Sequence, residues 1–285
     1  MDFASPLNTR LIPSETVSCL TQDNVLKHER RLPMSNDIAT LDQILGKAAK
    51  LHRVLREAGL PETALQMPID DPEMRNRLVR YWLSGGYEAT TTQKLAREIM
   101  GKNYLGIEEA VTHFGVKPKR GELSTLAEIL FTEAILRECK DTHILVAVFP
   151  LSINETRKQY SSSFYNTNWF VKESFAKERG EVGWHLIRKS EVPNSTSKTW
   201  QEQQALLGNN EETPSARVMV YTIVGHYRNT GEKLFGNICV RCSDLVLNGY
   251  RVFVGYFDAY GLIVSVYWDD DRGSVIGVST SRKFD

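Results

Sequence analysis

The chain has 285 residues, with 35 Lys and Arg against 35 Asp and Glu, 41% apolar and 25% charged side chains. That composition leaves room for one large domain or two medium ones, and it excludes collagen, coiled-coil and wholly disordered architectures. Divided at Lys140, the chain carries 19 residues of each sign on one side and 16 of each on the other, so neither half is a polycation suited to nucleic-acid phosphates.

No apolar run approaches the length of a membrane span, and residues 1–33 hold no apolar signal core. A cytoplasmic protein without membrane insertion is expected. Residues 1–33 form a polar leader broken by Pro6, Pro13 and Pro33, expected to be disordered and dispensable, with Met34 as an alternative start.

Residues 34–140 read as helical. Ile38, Leu41, Ile44, Leu45, Ala48, Leu51, Val54 and Leu55 recur at helical spacing between an Asn36 or Asp37 cap and the Gly59…Pro61 stop. Asp71-Pro72 opens a second helix with Met74, Leu78, Val79 and Trp82 inward. Thr90 to Thr92 begin a third, stopped by Gly101, and residues 107–114 form a fourth, stopped by Gly115. This pair permits a helix-turn-helix, although Glu108 and Glu109 stand where DNA contacts want Arg. Thr125-x-x-Glu128 has capping-box spacing, and residues 132–139 form another short helix.

Residues 141–285 read as α+β. The unbroken apolar run 144–149 predicts a strand buried on both faces, and 183–187 a second. Thr199-x-x-Glu202 caps a helix over 200–207. Thr213 and Pro214 open a helix that is apolar nearly all round from Ala216 to Tyr227, the pattern of a core helix. Strands are expected at 237–242, 251–255, 262–268 and 276–279, separated by glycine-bearing turns. The two most apolar segments, 144–149 and 216–227, should be the core of one domain over 143–285.

No catalytic constellation stands out. The six histidines are scattered, and no nucleophile elbow, Walker loop or dinucleotide fingerprint is present. Cys239-x-x-Cys242 lacks a second ligand pair and lies in a strand-like run, which suits two buried thiols better than a metal. Asp269, Asp270 and Asp271 read as a solvated surface. No metal and no cofactor are expected.

The tail has an unusual composition. Lys, Glu, Gln and Met make up 51 of 285 residues, yet none falls in the 49 residues from Leu234 to Arg282. About nine would follow from average usage. Strand preference explains part of the gap. The segment is rich instead in Tyr, Asp, Ser, Val, Ile, Gly and Phe, a mixture familiar from binding loops.

The frame Arg251-Val-x-Val-Gly255-x-Phe257-Asp258-x-x-Gly261-Leu262-x-Val264-x-x-x-Trp268-Asp269-x-x-Arg272-x-x-x-x-Gly277-Val278-Ser279-x-x-Arg282 resembles the variable region of diversity-generating retroelement target proteins. Residues 99–115, 180–188, 194–207 and 216–226 are similar to one such group. The resemblance implies a C-type-lectin-like domain, related to the formylglycine-generating-enzyme fold, with antiparallel strands and two helices. It implies that a retroelement rewrites the variable region, about 250–282, by mutagenesis at adenines. Asn codons so altered reach fifteen amino acids, but not Lys, Glu, Gln, Met or Trp. The varied, ligand-binding positions would be Tyr256, Ala259, Tyr260, Ile263, Ser265, Val266, Tyr267, Asp270, Asp271, Gly273, Ser274 and Val275. The scaffold would be Gly255, Gly261, Leu262, Val264, Trp268 and Gly277, with Val278 beneath and Trp184, Trp200 and Tyr221 as further packing.

The expected function is therefore a non-enzymatic, receptor-type binding protein. Its partner would be a protein or surface ligand that differs between copies, neither nucleic acid nor membrane, with the oligomeric state open. Two alternatives remain. One is a formylglycine-generating-type enzyme using Cys239 or Cys242. The other is a DNA-associated regulator using the 90–115 helices, with a basic groove near Arg97, Lys102, Lys117, Lys119 and Arg120.

Overall fold

The apolar run at 144–149 and the all-round apolar helix after Pro214 pack together in one core. A computed structural model describes residues 41–83 and 86–284. It divides into two units, residues 1–62 and 63–285. The expected leader, the Asn36 or Asp37 cap and Ile38 lie outside the described residues.

In the first unit α1 (Leu41–Glu57) is followed by a turn that brings Glu62 back to His52 and Arg56 of the helix, at 3.3 and 3.8 Å. Leu45, Leu51 and Val54 are exposed. Next come α2 (Glu62–Asp70), which the sequence pattern does not announce, and α3 (Pro72–Leu83). Met74 and Leu78 of α3 are half-buried, whereas Val79, expected inward, is exposed.

The second unit continues with α4 (Thr91–Met100), β1 (Tyr104–Leu105), α5 (Ile107–Phe114), α6 (Arg120–Thr125), α7 (Glu133–Cys139), β2 (His143–Val148), α8 (Ile153–Gln159), α9 (Ser174–Lys177) and β3 (Gly183–Arg188). It ends with α10 (Trp200–Gln204), β4 (Glu211–Glu212), α11 (Ala216–Thr230), β5 (Cys239–Leu245), β6 (Arg251–Asp258), β7 (Gly261–Tyr267), β8 (Ile276–Val278) and β9 (Ser281–Arg282). The protein is α+β. One mixed sheet has the order β1-β2-β3-β9-β4 and the other β7-β6-β5-β8.

All six residues of β2 are buried, as is every residue of α11 from Ala216 to His226. Burying several such side chains, each contributing about 1.5–3 kcal/mol, makes this contact a large contribution to stability. Gly225 lets α5 lie close on α11: a Cβ there would stand 3.1 Å from the Phe114 ring, which stacks on Tyr221 at 4.1 Å.

The boundary expected between 140 and 141 is absent. β1 pairs in parallel with β2. Leu126 O accepts from Gln93 Nε2 at 2.6 Å and from Trp184 Nε1 at 3.0 Å, and Asn103 Nδ2 donates to Lys140 O at 2.6 Å. The 86–140 helices complete the core that β2 and α11 begin, so residues 143–285 alone would expose it.

Three local expectations also change. A 3-10 turn and β1 separate α4 from α5, so the pair is not a helix-turn-helix. Ser215, not Thr213, caps α11 by accepting from Val218 N, which leaves Pro214 outside the helix. Thr125 ends α6 instead of starting a turn, and α10 stops at Gln204 instead of Leu207.

Candidate ligand-binding face

Strand alternation divides the β6–β7 hairpin. Val252 stands opposite Val266, and Val254 opposite Val264. Val252, Val254, Leu262 and Val264 are buried, and Val266 is half-buried against the core. Directly opposed residues point to the same side of a sheet, so Val266 faces inward. Its expected place among the displayed side chains is corrected by its parity with Leu262 and Val264. Phe253 opposite Ser265, and Gly255 opposite Ile263, belong to the other face. Tyr267 lies there too, its ring edge-on to Phe253 at 6.4 Å.

Gly255 and Tyr256 interrupt the alternation. Tyr256 has φ 46° and donates its N–H to Ile238 O at 2.9 Å. The resulting bulge resets the pattern, so Phe257 is buried and Tyr256 only half-buried. Gly255 has φ 154°, and a Cβ there would meet Ile238 O at 2.2 Å. At Gly261 a Cβ would meet Phe164 C at 2.4 Å. Gly277 is similarly confined, by Ser195 Oγ at 2.6 Å. At the hairpin tip Ala259 and Tyr260 are exposed, Tyr260 to 77%, while Asp258 Oδ1 accepts from Tyr260 N at 2.8 Å.

The 268–275 loop runs past the outer face and is held by two buried arginines. Arg241 is fully buried. Its Nη2 donates to Trp268 O at 2.9 Å and Asp271 O at 2.7 Å, and its Nη1 to Lys198 O at 3.0 Å and Gln203 Oε1 at 2.9 Å. Arg251 binds Asp269 through Nε and Nη2, at 2.8 and 2.9 Å, and lies 3.7 Å from the Trp200 ring centre. Main-chain bonds complete the attachment: Trp200 N to Asp269 O, Ser197 N to Gly273 O, and Cys239 N to Val275 O, each 2.8–2.9 Å. Asp270, Asp271, Ser274 and Val275 are exposed.

Of the twelve expected varied positions, none is buried, and Val266 is the one on the core side. Of the expected scaffold, Gly255, Gly261, Leu262, Val264 and Gly277 are buried. Trp268 is not: the residue is 41% exposed, its ring beside Tyr250, and the scaffold holds its carbonyl oxygen. Trp184 and Tyr221 are buried, and Trp200 is half-buried under Arg251. Phe253 was missed, although it sits between Val252 and Val254 where alternation turns a side chain outward. Arg241 and Arg251 were missed as well. Their signal is a lone cation amid apolar strand residues, which must be paired if buried.

The groups behind the alternatives have clear environments. Cys239 and Cys242 are buried. Burial pushes the Cys239 thiol up to about 12 and Cys242 well above its ordinary value, so neither is a ready thiolate. No group of three His, Cys, Asp or Glu side chains suited to a metal occurs among the described residues. Arg97 is bound by Glu108 and Glu109, and Lys102 lies 3.3 Å from Glu232, whereas Lys117, Lys119 and Arg120 are exposed. No helix among the described residues is long and apolar enough to cross a membrane.

No protein-family description matches the chain, and comparisons with curated proteins and with solved structures find no match.

Proposed function

We propose that the protein is a receptor-type binding protein whose C-terminal face is diversified by a retroelement, on a C-type-lectin-like scaffold. One observation carries the proposal. Within 250–282 the backbone is fixed by confined glycines, main-chain hydrogen bonds and two buried arginines, while the outward side chains of Tyr260, Ile263, Asp270, Asp271, Ser274 and Val275 carry none of those hydrogen bonds. Such a division allows side-chain replacement at little cost to the fold, since surface changes usually stay within about 0.5 kcal/mol. The outward set of Phe253, Tyr256, Tyr260, Ile263, Ser265 and Tyr267 combines aromatic anchors with small polar groups, as binding surfaces do. The tail's lack of Lys, Glu, Gln and Met is consistent with adenine-directed rewriting. Helices α10 and α11 followed by a strand-rich tail suit the lectin-like scaffold.

A selection experiment tests the proposal. The codons of Tyr260, Ile263, Ser265, Tyr267, Asp270, Asp271, Ser274 and Val275 are randomised in the displayed full chain, which is selected against hen lysozyme. A receptor face should yield binders that melt within a few degrees of the parent. A library that is mostly unfolded, or that yields no binder while a randomised antibody loop does, would contradict it.

A further inference from the structure

Every scaffold hydrogen bond to the 268–275 loop is made to its main chain or to Asp269, apart from those of Arg272, which reaches Glu202 at 2.8 Å and Ser197 O at 3.4 Å; beyond these, the Trp268 ring packs on Tyr250. Arg241 is the hub. It rises from β5 on the outer face, is wholly buried, and spans from the 195–203 segment to the loop: one nitrogen takes Lys198 O and Gln203 Oε1, the other Trp268 O and Asp271 O. Gln203 is itself fully buried, and its Nε2 donates to Ser195 O at 2.8 Å and Ile276 O at 3.0 Å. The order of contact is thus Ile276 O, Gln203, Arg241, then Trp268 O and Asp271 O, from the loop's far end back to its start. A planar guanidinium with donors on two sides can serve four fixed acceptors at once; an ammonium cannot.

We propose that Arg241 is the positioning residue of the ligand-binding loop, setting its conformation through backbone acceptors and so independently of the side chains at Asp270, Asp271, Ser274 and Val275. The proposal rests on the receptor role above for its significance. Its content is a local one: the loop's shape belongs to Arg241 and Gln203, and its specificity to the outward side chains.

Hydrogen exchange on the full chain tests this without any ligand. The amides of Asp271 and Ile276, which close on Trp268 O and Gly273 O, report the loop, and those of α11 report the core. In Arg241→Gln the loop amides should exchange faster by about tenfold or more while the α11 amides keep their parent rates. Trypsin should then cut after Arg272 in the native protein. Arg241→Lys should fall between, since one ammonium reaches only part of the acceptor set. Asp270→Ser, Asp271→Ser, Ser274→Ala and Val275→Thr combined should leave the loop amides within about threefold of the parent. Unchanged loop rates in Arg241→Gln and Arg241→Lys, or loosening in the combined display variant, would overturn the proposal. If Arg241→Gln does not fold, Arg241→Lys and the display variant decide. Failure to find any binder overturns the receptor role and leaves the exchange result standing.

Discussion

Arg251 holds Asp269 with two parallel hydrogen bonds, 2.8 and 2.9 Å long, its guanidinium lying over the Trp200 ring. Bidentate geometry and burial of the guanidinium make this pair unlike an exposed ion pair. Asp269→Ala leaves Arg251 buried without its partner, and should cost about 2–4 kcal/mol. Denaturant unfolding checks the cost. Asp269→Ala combined with Arg251→Met should recover part of it, and a strictly additive double variant would show that the two residues act apart.

Val266 and Ser265 are neighbours with opposite roles. Val266→Asp places a carboxylate against the core and should cost about 2 kcal/mol or more. Ser265→Asp, on the outer face opposite Phe253, should stay within about 0.5 kcal/mol. Equal melting temperatures for the two variants would contradict the parity drawn from β6–β7 pairing.

Gly255 and Gly273 should differ in the same manner. Gly255→Ala drives a Cβ to 2.2 Å from a main-chain oxygen, which cannot yield, so a loss of about 3 kcal/mol or more is expected. At Gly273 the nearest atom is Ile276 Cγ1, at 3.0 Å, on a side chain that can shift. Gly273→Ala should cost about 1 kcal/mol or less. Thermal unfolding of the two variants decides.

Much of this architecture was legible because apolar runs are local. β2 and α11 declare themselves by residues 144–148 and 216–226, and Thr199-x-x-Glu202 by its spacing. α8 carries Thr156, Arg157, Lys158 and Gln159, a polar sequence stabilised by its Ser152–Glu155 capping box, so periodicity alone passed over it. β4 and β9 are two residues each: β9 exists through its pairing with β3 and β4, and β4 through its pairing with β9. The outward positions of the face follow from alternation, with Val266 misplaced against that same alternation. The arginine hub was not legible, since its acceptors are carbonyl oxygens whose approach depends on the tertiary fold.

Acid should weaken the fold through two histidines. Burial, with Arg188 beside His143 and Arg217 beside His185, pushes both down to about 4. In the unfolded chain they titrate near 6.5. Their stabilising effect is therefore full above about pH 6.5 and is lost as pH falls towards 4, because the unfolded chain binds protons that the folded one refuses. A loss on the order of 2 kcal/mol per histidine is expected between pH 7 and pH 4. His143→Gln with His185→Gln should flatten that slope in urea titrations, and an unchanged slope would assign acid sensitivity elsewhere.

The gene's own neighbourhood tests the receptor role most directly. Sequencing should find a reverse-transcriptase gene and a near-copy of the codons for 250–282. The copy should carry adenines at outward positions such as Tyr260, Ile263, Ser265, Tyr267, Asp270 and Asp271, and none that alter Val254, Leu262, Val264 or Val266. A locus with no such copy, or one whose adenines fall on the core-facing valines, would contradict a diversified binding face.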